Sequence, residues 1–139
     1  MKHPWLPLVA AACLCGSAAG QGTGQFSQPW GAIESGDRSV TRNEESVGIT
    51  RIDGQSTRNA RRPDPVEPGK RMVEVRFDTA RTVVGQTTQT IEIHVQPCKR
   101  YRVVAHFATS ARSNWEPAIS AIEDIGECRR RFFQDKSAK

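Results

Sequence analysis

The chain has 139 residues, of which 37 % are hydrophobic, 25 % charged and 6 % aromatic, with 20 basic against 15 acidic side chains and a formal charge of +5. A chain of this length forms one domain, which buries about two thirds of its unfolded surface. The composition excludes collagen, a sustained coiled coil and a membrane-spanning helix: there is no glycine period, no heptad repeat and no apolar run near the ~20 residues a span requires.

The first twenty residues read as an export leader rather than as a buried N-terminal helix. Lys2 and His3 give a positive start, Trp5 to Leu14 is an apolar run, and Gly16-Ser17-Ala18-Ala19-Gly20 supplies small residues for cleavage after Ala19 or Gly20. Cys13, preceded by Ala10-Ala11-Ala12, is also a candidate lipidation site, because the pattern resembles a bacterial lipobox with Ala10 in place of the usual leucine. A lipidated chain sits on a membrane, whereas a cleaved one is free. Removal of residues 1–20 leaves 119 residues with 19 basic and 15 acidic side chains, and two cysteines, Cys98 and Cys128. In an oxidising compartment such a pair suggests one disulfide, the alternative being two free thiols.

From Ile33 onward apolar residues recur at every second position, the period of a half-buried strand. A first strand is expected at 31–34. Val47 and Ile49 open a second that ends in the turn pair Asp53-Gly54. Residues 55–66 hold almost nothing apolar and read as a long exposed connection. Pro68-Gly69 then launches a strand through Val73, Val75 and Phe77, and Gly85 suits the tip of a hairpin leading to Ile91, Ile93 and Val95. Tyr101, Val103, Ala105 and Phe107 mark a further strand. Residues 115–122 mark the last, which Pro117 confines to an edge or a bulge. The best helical candidate is 121–133, in competition with that last strand. Tyr101 and Trp115 are expected to help close the core. Residues 21–29 and 134–139 have too few apolar groups to offset their ordering entropy.

Arg51-Ile52-Asp53-Gly54, followed by Val66-Glu67-Pro68-Gly69-Lys70-Arg71-Met72-Val73-Glu74-Val75, resembles the PEGA-type module of bacterial envelope proteins. There a strand ends in Asp-Gly and a later Pro-Gly turn starts a strand of alternating aliphatics. The layout is also similar to small bacterial envelope lipoproteins that continue with a Gly-x-x-Tyr strand and a late Trp. Here Cys98-Lys99-Arg100-Tyr101 stands where the glycine is expected, and Trp115-Glu116-Pro117 follows. The resemblance covers residues 46–117, without the Pro-Glu-Gly-Ala sequence that names the module. It implies an all-β, non-enzymatic envelope module. The expected architecture is a small antiparallel β-sandwich, Ig-like or PEGA-like, of about six strands, preceded by a signal peptide. Its parts are a leader at 1–20, a flexible segment at 21–30, the sandwich at 31–133 and a disordered tail at 134–139.

Catalytic patterns are scarce. His94 and His106 fall on the polar faces of their strands. If those strands form a hairpin, His94 sits opposite Arg102 or Val104, which leaves the two imidazoles too far apart to share a zinc. Ser110 and Ser113 read as turn residues, and no G-x-S-x-G elbow is present, so a small hydrolase is a distant third reading. Glu123, Asp124 and Glu127 lack a glycine-centred calcium loop and are expected to pair with Arg129, Arg130 and Arg131. No cofactor, metal or nucleic-acid partner is expected, and no transmembrane span in the mature chain.

Charge is the remaining lead. Arginine outnumbers lysine 15 to 5, and its planar fork suits carboxylate and phosphate partners. Three basic groups stand out: Arg58, Arg61 and Arg62; Lys99, Arg100 and Arg102; and Arg129, Arg130 and Arg131. The leading reading is an exported (periplasmic or secreted) non-enzymatic envelope protein with a structural or binding role, membrane-anchored if Cys13 is lipidated. In the alternative reading the arginines dock the protein on anionic envelope surfaces such as lipid headgroups, lipopolysaccharide or cell-wall polymer.

Overall fold

The computed structural model describes residues 27–77, 87–109 and 114–134. The leader with Cys13, the hairpin tip at Gly85, and Ser110 and Ser113 lie outside the described residues. Among the described residues eight strands and one helix follow in the order β1 (Ala32–Ser35), β2 (Glu44–Ser46), β3 (Gly48–Ile52), β4 (Gln55–Ser56), β5 (Gly69–Arg76), β6 (Thr88–Val95), β7 (Lys99–Phe107), β8 (Trp115–Asp124) and α1 (Gly126–Phe132).

The fold is all-β. One sheet is built on β7, with antiparallel β8 along one edge and both β1 and β2 along the other. The second sheet has the order β4-β3-β5-β6 and is antiparallel throughout. Alternation places Val73, Val75 and Phe77 of one sheet against Tyr101, Val103, Ala105 and Phe107 of the other. Together with Ile33, Val47, Ile49, Ile93, Val95 and Trp115 they form a single buried cluster. Phe77 lies at its centre, edge-on to Phe107 at 5.4 Å between ring centroids and tilted against Trp115 at 5.8 Å. Such aromatic pairs contribute about 0.5–1.5 kcal/mol each beyond their burial. Tyr101 is buried as a ring, while its hydroxyl donates to the His94 carbonyl (3.0 Å) and accepts the Gln96 N–H (2.9 Å). It therefore satisfies the backbone at the corner where the chain leaves one sheet for the other.

The architecture departs from an antiparallel six-stranded sandwich in two respects. Two further strands, β2 and β4, span only three and two residues, too few for a two-residue rhythm to register in sequence. The other departure is β1, which runs parallel to β7, with Ala32 opposite Arg100 and Ser35 opposite Val103. A parallel neighbour requires a long connection, and here the whole second sheet intervenes between the two strands. Beyond β1 the Gly36 N–H donates to the Val103 carbonyl (2.7 Å), and Gly36 rests on Val104, which is fully buried although it faces away from the core.

Three local expectations also change. Strands β6 and β7 belong to different sheets, so they form no paired hairpin, and His94 stands opposite Lys70 instead of Arg102 or Val104. Residues 55–66 are largely exposed, yet they are pinned to the fold by their backbone. The Ser35 N–H donates to the Arg61 carbonyl (2.9 Å), the Ile49 N–H donates to the Ala60 carbonyl (2.8 Å), and Gly31 and Val66 exchange two hydrogen bonds. The polar composition hid these ties because main-chain groups make them. The segment weighed between strand and helix divides: β8 continues to Asp124, with a bulge opposite Arg102 and Val103, and α1 begins at Gly126. Pro117 sits in β8, an edge strand, as its missing N–H requires.

Helix α1 has Glu127 in its first turn and Arg129, Arg130 and Arg131 in its last, a distribution that complements the helix dipole. Its inward residues join Trp30, Ala32 and Cys98 in a second cluster containing Ile125, Cys128 and Phe132. Cys98 and Cys128 are disulfide-bonded, with their Cα atoms 5.3 Å apart.

Gly31 tests how tightly the first sheet closes. A Cβ there would run into Val95 Cγ1 and meet the Gln96 and Lys99 carbonyl oxygens at 3.4 Å. Gly31→Ala is expected to cost about 1–3 kcal/mol, the usual range for overpacking. It should be read as a lower urea midpoint at unchanged m-value.

Candidate functional site

The outer face of the first sheet carries Arg100 and Arg102 of the second basic group, with Lys99 at the start of β7, and the strand register decides their fate. Parallel β1 sets Glu34 opposite Arg102, while β8 sets Glu123 opposite Arg100 and Asp124 opposite Lys99. The carboxylates therefore flank the basic side chains of β7 from both sides. Glu34, only 12 % exposed, accepts from Arg102 Nη1 at 2.9 Å and has Arg100 Nε at 3.2 Å. That Arg100 N–H is buried and does not point at the carboxylate, so the contact is coulombic. Glu123 lies 3.4 Å from Arg102 and 3.7 Å from Arg100. Asp124 joins Lys99 Nζ and Arg129 Nη1, each at 2.7 Å. The exposed pairs among these contribute little to stability, because solvent screens them. Their greater consequence is neutralisation. Four basic groups face three carboxylates, and little positive field is left for an outside partner.

The acidic trio from the sequence is thereby redistributed. Asp124 does pair with Arg129, but Glu123 turns to the arginines of β7, and Glu127 has no ion pair among the described residues. Lys99 and Arg129 hold the Asp124 carboxyl below its ordinary value of 3.8, the hydrogen bond from Lys99 being the larger cause.

Arg58, Arg61 and Arg62 occupy the exposed flank beside β1, where Asn59 Oδ1 accepts the backbone N–H groups of Arg61 and Arg62, each at 3.0 Å. Their guanidinium groups have no ion pair among the described residues. An open groove of about 510 Å³ is lined by their chain neighbours Thr57 and Pro63 with Ile52, Asp53, Pro65, Val66 and Arg71, and none of the three arginines is in its lining. Sequence reasoning missed this groove; the one signal for it was the Asp53-Gly54 turn. Both turn residues adopt positive φ (51° and 81°), and Asp53 then accepts from the Met72 N–H and from Arg71 Nη1, each at 2.9 Å. The Met72 hydrogen bond, and after it Arg71, lower the Asp53 pKa. Asp53 and Arg71, two of the polar groups in the groove wall, are thus already committed to the turn.

Arg130 and Arg131 belong to the helix end. Both are exposed on α1 without an ion pair among the described residues, and Arg131 lies over the Phe132 ring at 5.5 Å. Three basic groups that look equivalent in sequence are therefore one neutralised strip, one flank loop and one helix end.

His94 and His106 lie on separate sheets, opposite Lys70 and Glu44 respectively, and both are exposed. Among the described residues no group of three His, Cys, Asp or Glu side chains could hold a metal ion, and no helix is long and apolar enough to cross a membrane. Comparison with family models, with curated proteins and with solved structures finds no match to the chain.

Because the folded Asp124 pKa is lowered, its pairing contributes stability above pH 3.8. That contribution disappears as the pH falls through the lower folded value. Lys99→Gln is expected to move the Asp124 titration, followed by NMR, back toward the ordinary value and to shrink the acid-dependent part of the stability curve.

Proposed function

We propose that the protein is an exported, non-enzymatic envelope module with a structural or binding role, acting in the periplasm or outside the cell. The observation that carries the reading is the disulfide between Cys98 and Cys128. Such bonds persist in oxidising compartments, and this one joins the last element of the fold to the corner between the two sheets. The apolar leader with its small-residue end points the same way. Lipidation of Cys13 would add a membrane anchor to the same module.

A PEGA-like relationship is supported by three local conformations. The Asp53-Gly54 pair makes a tight turn with both φ positive, and Gly69, which starts β5, has φ 124°. Cys98, at the place where the related layout has glycine, has φ 57°, in the left-handed region that favours glycine. A non-glycine residue there costs about 1–2 kcal/mol. The disulfide to α1 holds this residue in place despite that cost.

Under this reading the protein cleaved after Ala19 or Gly20 is expected to carry no free thiol, and its intact mass should rise by about two units on reduction; free thiols at both Cys98 and Cys128 in the exported material would overturn it. Closing a loop with a separation of 30 residues contributes about 3–4 kcal/mol in the chain-entropy model. Cys128→Ser should lower the unfolding free energy by that order, with loss of the helical signal of α1. Panels of ester, glycoside and peptide substrates should show no turnover above background; turnover that co-purifies with the folded protein would refute the non-enzymatic reading.

A further inference from the structure

We infer that the α1 end of the domain is a docking surface for the anionic phospholipid headgroups of a bilayer. The inference rests on the reading of the protein as exported.

It begins with the helix geometry. At about 100° per residue, Ile125, Cys128 and Phe132 share the inward face of α1. Arg130 then points directly outward, with Arg129 and Arg131 on its two sides. The Phe133 N–H still donates to the Arg129 carbonyl (2.8 Å), so Phe133 caps α1 directly after its last turn, three positions beyond Arg130 in the chain. The residue is 56 % exposed. A large aromatic side chain standing in solvent beside two arginines without ion pairs among the described residues fits an interface with an apolar layer beneath a negatively charged one. Asp124 takes up Arg129, which leaves Arg130 and Arg131 as the cations available to a partner. Glu127 is the one acidic side chain within α1. From Ile125 to the last residue the chain has five basic and two acidic residues, so its local balance is positive.

Chain connectivity leads to the same end. Trp30 packs edge-on against Phe132 at 5.9 Å, and its carbonyl accepts the Cys98 N–H. Trp30 near the start of the described residues and Phe132 near their end thus meet at the same pole of the domain. If Cys13 carries lipid, sixteen residues separate it from Trp30. They reach roughly 55 Å fully extended and far less as a coil. The anchor and the arginines would then serve the same membrane.

The other basic groups do not meet these conditions. Lys99, Arg100 and Arg102 are neutralised by Glu34, Glu123 and Asp124. Arg58, Arg61 and Arg62 are exposed on the flank, with no exposed aromatic residue among them.

The test is binding of the purified exported protein to vesicles of equal parts phosphatidylglycerol and phosphatidylcholine. Binding is expected on these vesicles, weakened by added salt, and absent on pure phosphatidylcholine. Each arginine near the surface contributes about fivefold in affinity, so the double variant Arg130→Gln, Arg131→Gln should lose roughly thirtyfold. The triple variant Arg58→Gln, Arg61→Gln, Arg62→Gln should bind as the wild type does. Phe133→Trp should add an emission that shifts to the blue on anionic vesicles alone, against Trp30 and Trp115, which are buried and stay constant. Loss of binding in the triple variant but not in the double would overturn the α1 surface while leaving an anionic-docking role in place. Equal binding to both lipid mixtures, or none to either, would overturn the lipid partner; the export reading is decided separately, by the thiol state of Cys98 and Cys128.

Discussion

Strand β7 is the constraint on which the rest of the structure depends. Its nine residues serve two faces and two edges at once. Tyr101, Val103, Ala105 and Phe107 fill the core; Arg100 and Arg102 face outward; β8 takes one edge, and β1 and β2 share the other. A one-residue slip of β7 would send its aromatic and aliphatic side chains to solvent and its arginines into the core. Tyr101 makes the register still more specific, because its hydroxyl must reach the corner at His94 and Gln96 while its ring stays buried.

The same register governs the electrostatics. Glu34, Glu123 and Asp124 come from strands that are far apart in the chain, and they meet the basic side chains of β7 because both neighbours pair with it in a fixed alignment. The strip that results is a structural feature of the sheet, not an open anion site. By removing Lys99, Arg100, Arg102 and Arg129 from play, it turns the surface chemistry of the molecule toward the α1 pole and the Arg58 flank.

The corner at Cys98 links the core to that pole. The left-handed backbone at Cys98, the Cys98 N–H bond to the Trp30 carbonyl, the Ile125 N–H bond to the Cys98 carbonyl and the disulfide to Cys128 converge within a few residues. Together they seat a short helix that would be marginal alone, since seven residues fall well below the length at which isolated helices hold. The second apolar cluster is thus a covalently fastened appendix to the sandwich.

Local periodicity determined much of this in advance. The alternation through Val73, Val75 and Phe77, through Ile91, Ile93 and Val95, and through Tyr101 to Phe107 specified strands and their buried faces, because the period of two belongs to the backbone of each strand. Asp53-Gly54 specified a turn through the φ values that glycine tolerates, and the reading of residues 1–20 as a leader left Cys98 and Cys128 as one candidate pair. Tertiary structure alone decided that β1 runs parallel to β7, that β6 and β7 lie in different sheets, and that residues 55–66 are held by their main chain. It also decided which arginines are neutralised. Those outcomes depend on which distant strand comes alongside, and pairing between segments separated by tens of residues leaves no rhythm in the sequence of either one.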